Sequence, residues 1–150
     1  MEAALQEELR REIILDHHRH PRHQGFLVEP TGVARGENPG CVDELTVYVQ
    51  RDADDRLTVR FLGQGCALSQ ASASTLTQLL NGRPADDAAA LAERFCAILT
   101  GESAEPLTLE EWGDAAALEG ARGYPQRVKC TTLAWRTFLA ALRGEADVKV

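Results

Sequence analysis

The hydrophobic period of this chain changes at Gly63-Gln64-Gly65, and that change limits the architectures open to it. Before it, Leu45, Val47 and Val49 alternate with Thr46, Tyr48 and Gln50, and after an acidic turn at 52–55 the alternation resumes at Leu57, Val59 and Phe61. A two-residue period on both sides of a turn predicts an antiparallel hairpin. Beyond Gly65 the pattern is helical. Residues 67–81 are small and end at Asn81-Gly82; Pro84 to Leu99 carries Asp86 and Asp87 in its first turn. Trp112 to Leu118 reads as a short helix, and Cys130 to Leu142 as the last, with Leu133, Phe138, Leu139 and Leu142 in its stripe and Gly144 as terminator. Upstream, apolar residues at 5, 9, 13 and 14 predict an amphipathic helix that Pro21 and Gly25 stop, and Pro30, Gly32, Gly36, Pro39 and Gly40 read as a loop. A hairpin followed by a run of helices predicts an α+β fold in a single domain over residues 1–150, with residues 145–150 as a flexible tail.

At 150 residues the domain buries about 70% of its extended-chain surface, enough for a core without disulfides. The formal charge of −7 repels phosphate backbones and anionic lipid, so nucleic acid and membrane partners are disfavoured. With no apolar leader over residues 1–11 and no apolar run near 18 residues, a cytoplasmic location is expected. Cysteine in a reducing compartment more often means metal or chemistry than a bridge.

The four cysteines differ in setting. Cys41 stands where the breaker-rich loop becomes a strand, and on an extended chain Cys41 and Asp43 face one side while Val42 faces the other. Cys66 follows Gly63-Gln64-Gly65 and opens a helix, where unpaired N–H groups favour a thiolate. Cys130 is expected to open the last helix in the same way. Three thiolates and the Asp43 carboxylate make a zinc donor set, but their wide spacing matches no close-paired zinc pattern, so an ordinary loop cysteine stays open as a reading. Cys96, among Phe95, Ala97 and Ile98, is a core residue. His17, His18, His20 and His23 suggest a second metal site or cations at a helix C-terminus. Ser69, Ser72 and Ser74 read as small residues for close helix packing.

Four segments in order are similar to the scaffold family of iron–sulfur cluster assembly, the NifU N-terminal, IscU and SufU group. They are Leu15-Asp16-His17-His18-Arg19-His20-Pro21-Arg22-His23-Gln24-Gly25, Asn38-Pro39-Gly40-Cys41-Val42-Asp43, Gly63-Gln64-Gly65-Cys66-Ala67-Leu68-Ser69, and Arg127-Val128-Lys129-Cys130 with Leu133 and Trp135 behind it. The resemblance implies an α+β fold with a small antiparallel sheet of about three strands packed against several helices. IscU-type scaffolds carry histidine before the third cysteine, and this chain has Lys129 there. That departure and the long interval from Cys66 to Cys130 resemble the SufU branch, which implies a zinc-containing sulfur acceptor for a pyridoxal-phosphate cysteine desulfurase of SufS type, working with other cluster assembly proteins.

By match of position, Cys41, Asp43, Cys66 and Cys130 are the implied zinc ligands. Cys41, in a loop with glycine, is the expected acceptor, and Lys129 and Arg127 are expected to steer persulfide or partner carboxylates. Three rivals remain: a scaffold holding iron or a labile [2Fe-2S] cluster on the same cysteines, a structural zinc module, and a cysteine hydrolase using Cys130 and His17.

Overall fold

The computed structural model describes residues 2–150, with side chains from residue 6 onward; Leu5, expected in the first apolar stripe, lies outside the described side chains. The order is α1 (Glu2–Arg19), β1 (Gly32–Asn38), β2 (Asp43–Arg51), β3 (Leu57–Gln64), α2 (Ala67–Leu80), α3 (Ala85–Thr100), α4 (Leu109–Trp112), a 3-10 segment (Gly113–Ala121), α5 (Pro125–Arg143) and β4 (Asp147–Lys149). The strands form one sheet in the order β3-β2-β1-β4. It is antiparallel except where β4 runs parallel to β1.

The predicted hairpin is β2–β3, with Val47 opposite Phe61 and Val49 opposite Val59. These side chains, with Leu45 and Leu57, are buried against helices on one face of the sheet, and the alternate positions are exposed or half-buried. The expected loop before it is largely the strand β1. Gly32 and Gly36 there are not breakers but points of close approach. A Cβ on Gly32 would meet the Ala141 carbonyl of α5, and one on Gly36 would meet Thr137 Oγ1. Glycine lets helix and strand touch without strain in either.

Residues 145–150, expected as a tail, contain β4, which pairs Asp147 to Lys149 with Arg35 to Glu37. Three residues carry too little periodicity to announce a strand, and the partner edge was itself read as a loop. In α1 Leu9 is exposed, so this helix packs through its C-terminal half, from Ile14 to His17. The core between α3, α4 and α5 is aromatic: Phe95 stacks on Trp135 with centroids 3.9 Å apart, and Trp112 meets Trp135 edge-on at 6.4 Å.

Candidate metal centre

Three junctions of the fold meet at one point: the β1–β2 turn, the β3–α2 connection and the second turn of α5. Asn38 and Asp43 face each other at the end of the β1–β2 ladder, so residues 39–42 form a four-residue hairpin turn. Cys41 N–H closes it on the Asn38 carbonyl at 3.2 Å. The turn is completed by Val42 at φ 58, a left-handed conformation unusual for a β-branched residue, with the side chain 80% exposed. Cys41 and Asp43 therefore converge through a reversal of the chain, not along an extended strand as expected.

Asp43 is buried and fully engaged. Its Oδ1 accepts from the Cys66 backbone N–H at 2.9 Å, and its Oδ2 lies 3.4 Å from Asn38 Nδ2 and 3.9 Å from Cys66 Sγ. Gly65, at φ 149, makes this possible, since a Cβ there would collide with the Asp43 carboxylate. Cys66 is the N-cap of α2, as the sequence predicted, and its sulfur accepts the Ser69 N–H at 3.4 Å.

Cys130 does not open its helix. Pro125 occupies the first turn of α5, a position its fixed φ suits, so Cys130 lies about a turn and a half in, beyond the unpaired N–H groups. Cys130 Sγ lies 3.1 Å from Cys41 Sγ and 3.5 Å from Asn38 Nδ2. Burial raises its pKa far above that of a free thiol, and Cys41, Asp43 and Cys66 add to the rise. A cation among them would reverse the sign of that effect.

One ligand atom each from Cys41, Asp43 and Cys130 lies within 4.8 Å of the others, and Cys66 adjoins them through Asp43. Among the described residues this is the one cluster of metal-ligating side chains that closes to such a distance. A tetrahedral zinc with sulfur at about 2.3 Å needs ligand atoms about 3.7 Å apart, so the donor chemistry and its scale both fit.

This set fits a known family. The NifU-like N terminal domain pattern matches residues 9–131. The chain belongs to the NifU-like N-terminal domain family. Relatives of this NifU-like domain include an iron–sulfur cluster assembly scaffold protein IscU of Streptococcus pyogenes serotype M1, 34% identical over 137 residues, covering 91% of this chain and 84% of that one. The zinc-dependent sulfurtransferase SufU of Bacillus subtilis is 34% identical over 128 residues, covering 85% of each. A solved structure described as a cluster assembly scaffold for the SUF system, from Fervidobacterium islandicum AW-1, superposes with a TM-score of 0.77 at 30% identity, covering 87% of this chain and 94% of that one.

The other expected residues separate. Arg127 lies over the Tyr124 ring at 4.6 Å and lines a groove with Arg10 and Leu68, whereas Lys129 lines a different groove beside β4. Among the described residues neither bonds to the cysteines. His17 is fully buried, with Nδ1 2.7 Å from Ser74 Oγ and Nε2 2.8 Å from Asp114 Oδ2, while His18, His20 and His23 are exposed. The Asp114 carboxylate accepts from Nε2–H, so in the neutral ring Nδ1 accepts from the Ser74 hydroxyl, whose oxygen also receives the Arg22 N–H. His17 is thus a buried pin joining α1, α2 and the 3-10 segment, not a base for Cys130.

The serines, expected as mere small residues, form bonds that set the site. Ser72 Oγ donates to the Thr131 carbonyl and accepts from Trp135 Nε1 at 2.9 Å, fixing α2 against α5 and so Cys66 relative to Cys130. Asn38 carried no role in the sequence reading. Its burial follows from the alternation Ala34, Gly36, Asn38, a signal hidden while the glycines passed for loop residues.

Proposed function

We propose that the protein is a zinc-dependent sulfur acceptor that takes persulfide sulfur from a pyridoxal-phosphate cysteine desulfurase of SufS type for iron–sulfur cluster assembly. Cys41, Asp43, Cys66 and Cys130 would hold the metal, and Cys41 would receive the sulfur. The observation that carries this reading is the convergence of the Cys41 and Cys130 sulfurs with an Asp43 oxygen, with Cys66 adjoining. The similarity to a zinc-dependent sulfurtransferase supports it. Bound zinc would keep the thiols ionised at neutral pH.

The acceptor must be both nucleophilic and free to move. Cys66 is held by Ser69 N–H and by the bond of its own N–H to Asp43, and Cys130 is part of a long helix. Cys41 sits in a short exposed turn whose left-handed Val42 gains by relaxing. In the transfer, Cys41 thiolate attacks the outer sulfur of the desulfurase persulfide. The new S–S bond forms as the old one breaks, the outer sulfur stays at the same oxidation level, and the desulfurase cysteine leaves as thiolate. Asn38 Nδ2 and the Cys66 N–H hold the Asp43 carboxylate in place meanwhile. Arg127 and Lys129, on either side of the first turns of α5, would meet partner carboxylates.

Cys41→Ala should abolish the gain in desulfurase turnover while retaining part of the zinc, and undiminished stimulation would contradict the assignment. A second reading, a scaffold carrying a labile [2Fe-2S] cluster as cargo on the same cysteines, draws on the relative named as a scaffold. Visible absorption after anaerobic reconstitution, set against zinc content as purified, separates the two.

A further inference from the structure

The sulfurs of the candidate metal centre differ in what donates to them. Cys66 Sγ accepts the Ser69 backbone N–H at 3.4 Å, and Cys130 Sγ lies 3.5 Å from Asn38 Nδ2. Among the described residues no N–H group donates to Cys41 Sγ, whose hydrogen bond is the 3.1 Å contact with the Cys130 thiol. That contact needs the Cys130 proton, so it is lost once a cation holds both sulfurs as thiolates. Two ionised sulfurs then keep an N–H donor, and Cys41 keeps none.

Asn38 makes that difference. The residue is 1% exposed, its backbone carbonyl accepts the Cys41 N–H at 3.2 Å, and its Nδ2 also lies 3.4 Å from Asp43 Oδ2. An amide nitrogen carries two hydrogens, and here one serves the Asp43 carboxylate and the other the Cys130 sulfur, so none is left for Cys41. The opposite orientation of the amide would set Oδ1 against a carboxylate and a thiolate, neither of which can donate. Oδ1 instead lies on the side of Gly40, 3.5 Å from where a Cβ there would stand. An N–H that donates to a thiolate draws charge from the sulfur and makes it a poorer nucleophile. We propose that Asn38 is a positioning residue that sets which sulfur reacts: its amide damps Cys130 and leaves Cys41 the most nucleophilic of the three. The exposed turn frees Cys41 to move, and the pattern of N–H donors selects it over the neighbour 3.1 Å away. This inference rests on the metal centre and the sulfur acceptance proposed above, and adds the residue that chooses among the sulfurs.

The test compares the zinc-loaded full chain with its Asn38→Leu variant, which keeps the bulk of the side chain and removes the donor. Both are treated with limiting methyl iodide, small enough to reach a sulfur on a residue 4% exposed, and peptide mass spectrometry locates the methyl group. The parent should carry it on Cys41. The variant should raise the ratio of Cys130 to Cys41 methylation about tenfold, the weight of one hydrogen bond to a charged group. With cobalt(II) in place of zinc, the sulfur-to-metal charge-transfer absorption of the variant should move to lower energy, a shift that a purely structural asparagine would not produce. Asn38→Ala provides the same test should the leucine variant not fold. An unchanged methylation ratio, an unchanged charge-transfer band, or a parent methylated first at Cys66 or Cys130 would each overturn the proposal. If Cys41→Ala leaves desulfurase stimulation intact while methylation still moves with Asn38, sulfur acceptance falls and selection by Asn38 stands.

Discussion

Cys96 and Cys130 are equally hidden, at 7% and 4% exposure, yet they have different neighbours. Around Cys96 in α3 lies an apolar core anchored by Phe95 on Trp135, and burial, more than the charges of Arg136, Glu102 and Glu93, pushes its thiol up to about 11. Around Cys130 lie the Cys41 and Cys66 sulfurs, the Asp43 carboxylate and the Asn38 amide. Burial raises both thiols; only the second has companions that a cation could join. Depth therefore does not tell the two cysteines apart. Convergence on other donor atoms does, and the two regions adjoin along α5, which carries both Cys130 and Trp135.

If the two regions are separable, each can be damaged without the other. Phe95→Ala should cost the most, about 3–5 kcal/mol of unfolding free energy, because a stacked ring is lost from a closed core. Its folded fraction should keep full metal stoichiometry by elemental analysis, and loss of metal at full folding would break the comparison. Asp43→Ala should act in reverse. It removes a donor and leaves Cys66 N–H and Asn38 Nδ2 without their acceptor, weakening zinc at least 100-fold, about 3 kcal/mol, in competition with a chromophoric chelator. Its aromatic near-ultraviolet signal should persist, as it should after chelation of the parent protein, contrary to a purely structural zinc module.

Alkali separates the two regions next. The Cys96 thiol is raised in the folded protein, so its contribution is fully present below the ordinary thiol value near 9 and lost as pH rises through about 11. The loss should be about 2–3 kcal/mol across that window, and it should be absent from Cys96→Ala measured beside the parent in urea. Identical slopes would contradict the burial argument. The smallest effect belongs to Val42→Gly, which relieves the left-handed turn: a gain of about 0.5–1 kcal/mol and slower alkylation of Cys41. Lower stability or faster alkylation would show that Val42 is not what loosens the turn.

The hairpin β2–β3, α2, α3 and the core position of Cys96 were legible in the sequence because each rests on local periodicity or a local cap. The proposed donor residues were picked out by motif resemblance, and the structure brings Cys41, Asp43 and Cys130 together with Cys66 adjoining. Hidden were the features that depend on a distant partner. Gly32 and Gly36 are breakers by composition but contact points by packing, and reading them as loop concealed β1, then β4 and the burial of Asn38. Pro125 passed for a turn although it begins α5, which placed Cys130 at a helix start it does not occupy. Lys129 and Arg127, two residues apart, diverge into different grooves because helical neighbours do not share a face.

The central claim is that Cys41, Asp43, Cys66 and Cys130 act as one donor set while Cys96 stands apart. X-ray absorption at the zinc edge of the purified protein tests it most directly. The account predicts one zinc per chain with three sulfurs at about 2.3 Å and one oxygen at about 2.0–2.2 Å, unchanged in Cys96→Ala. A first shell without sulfur, or one altered by loss of Cys96, would contradict it.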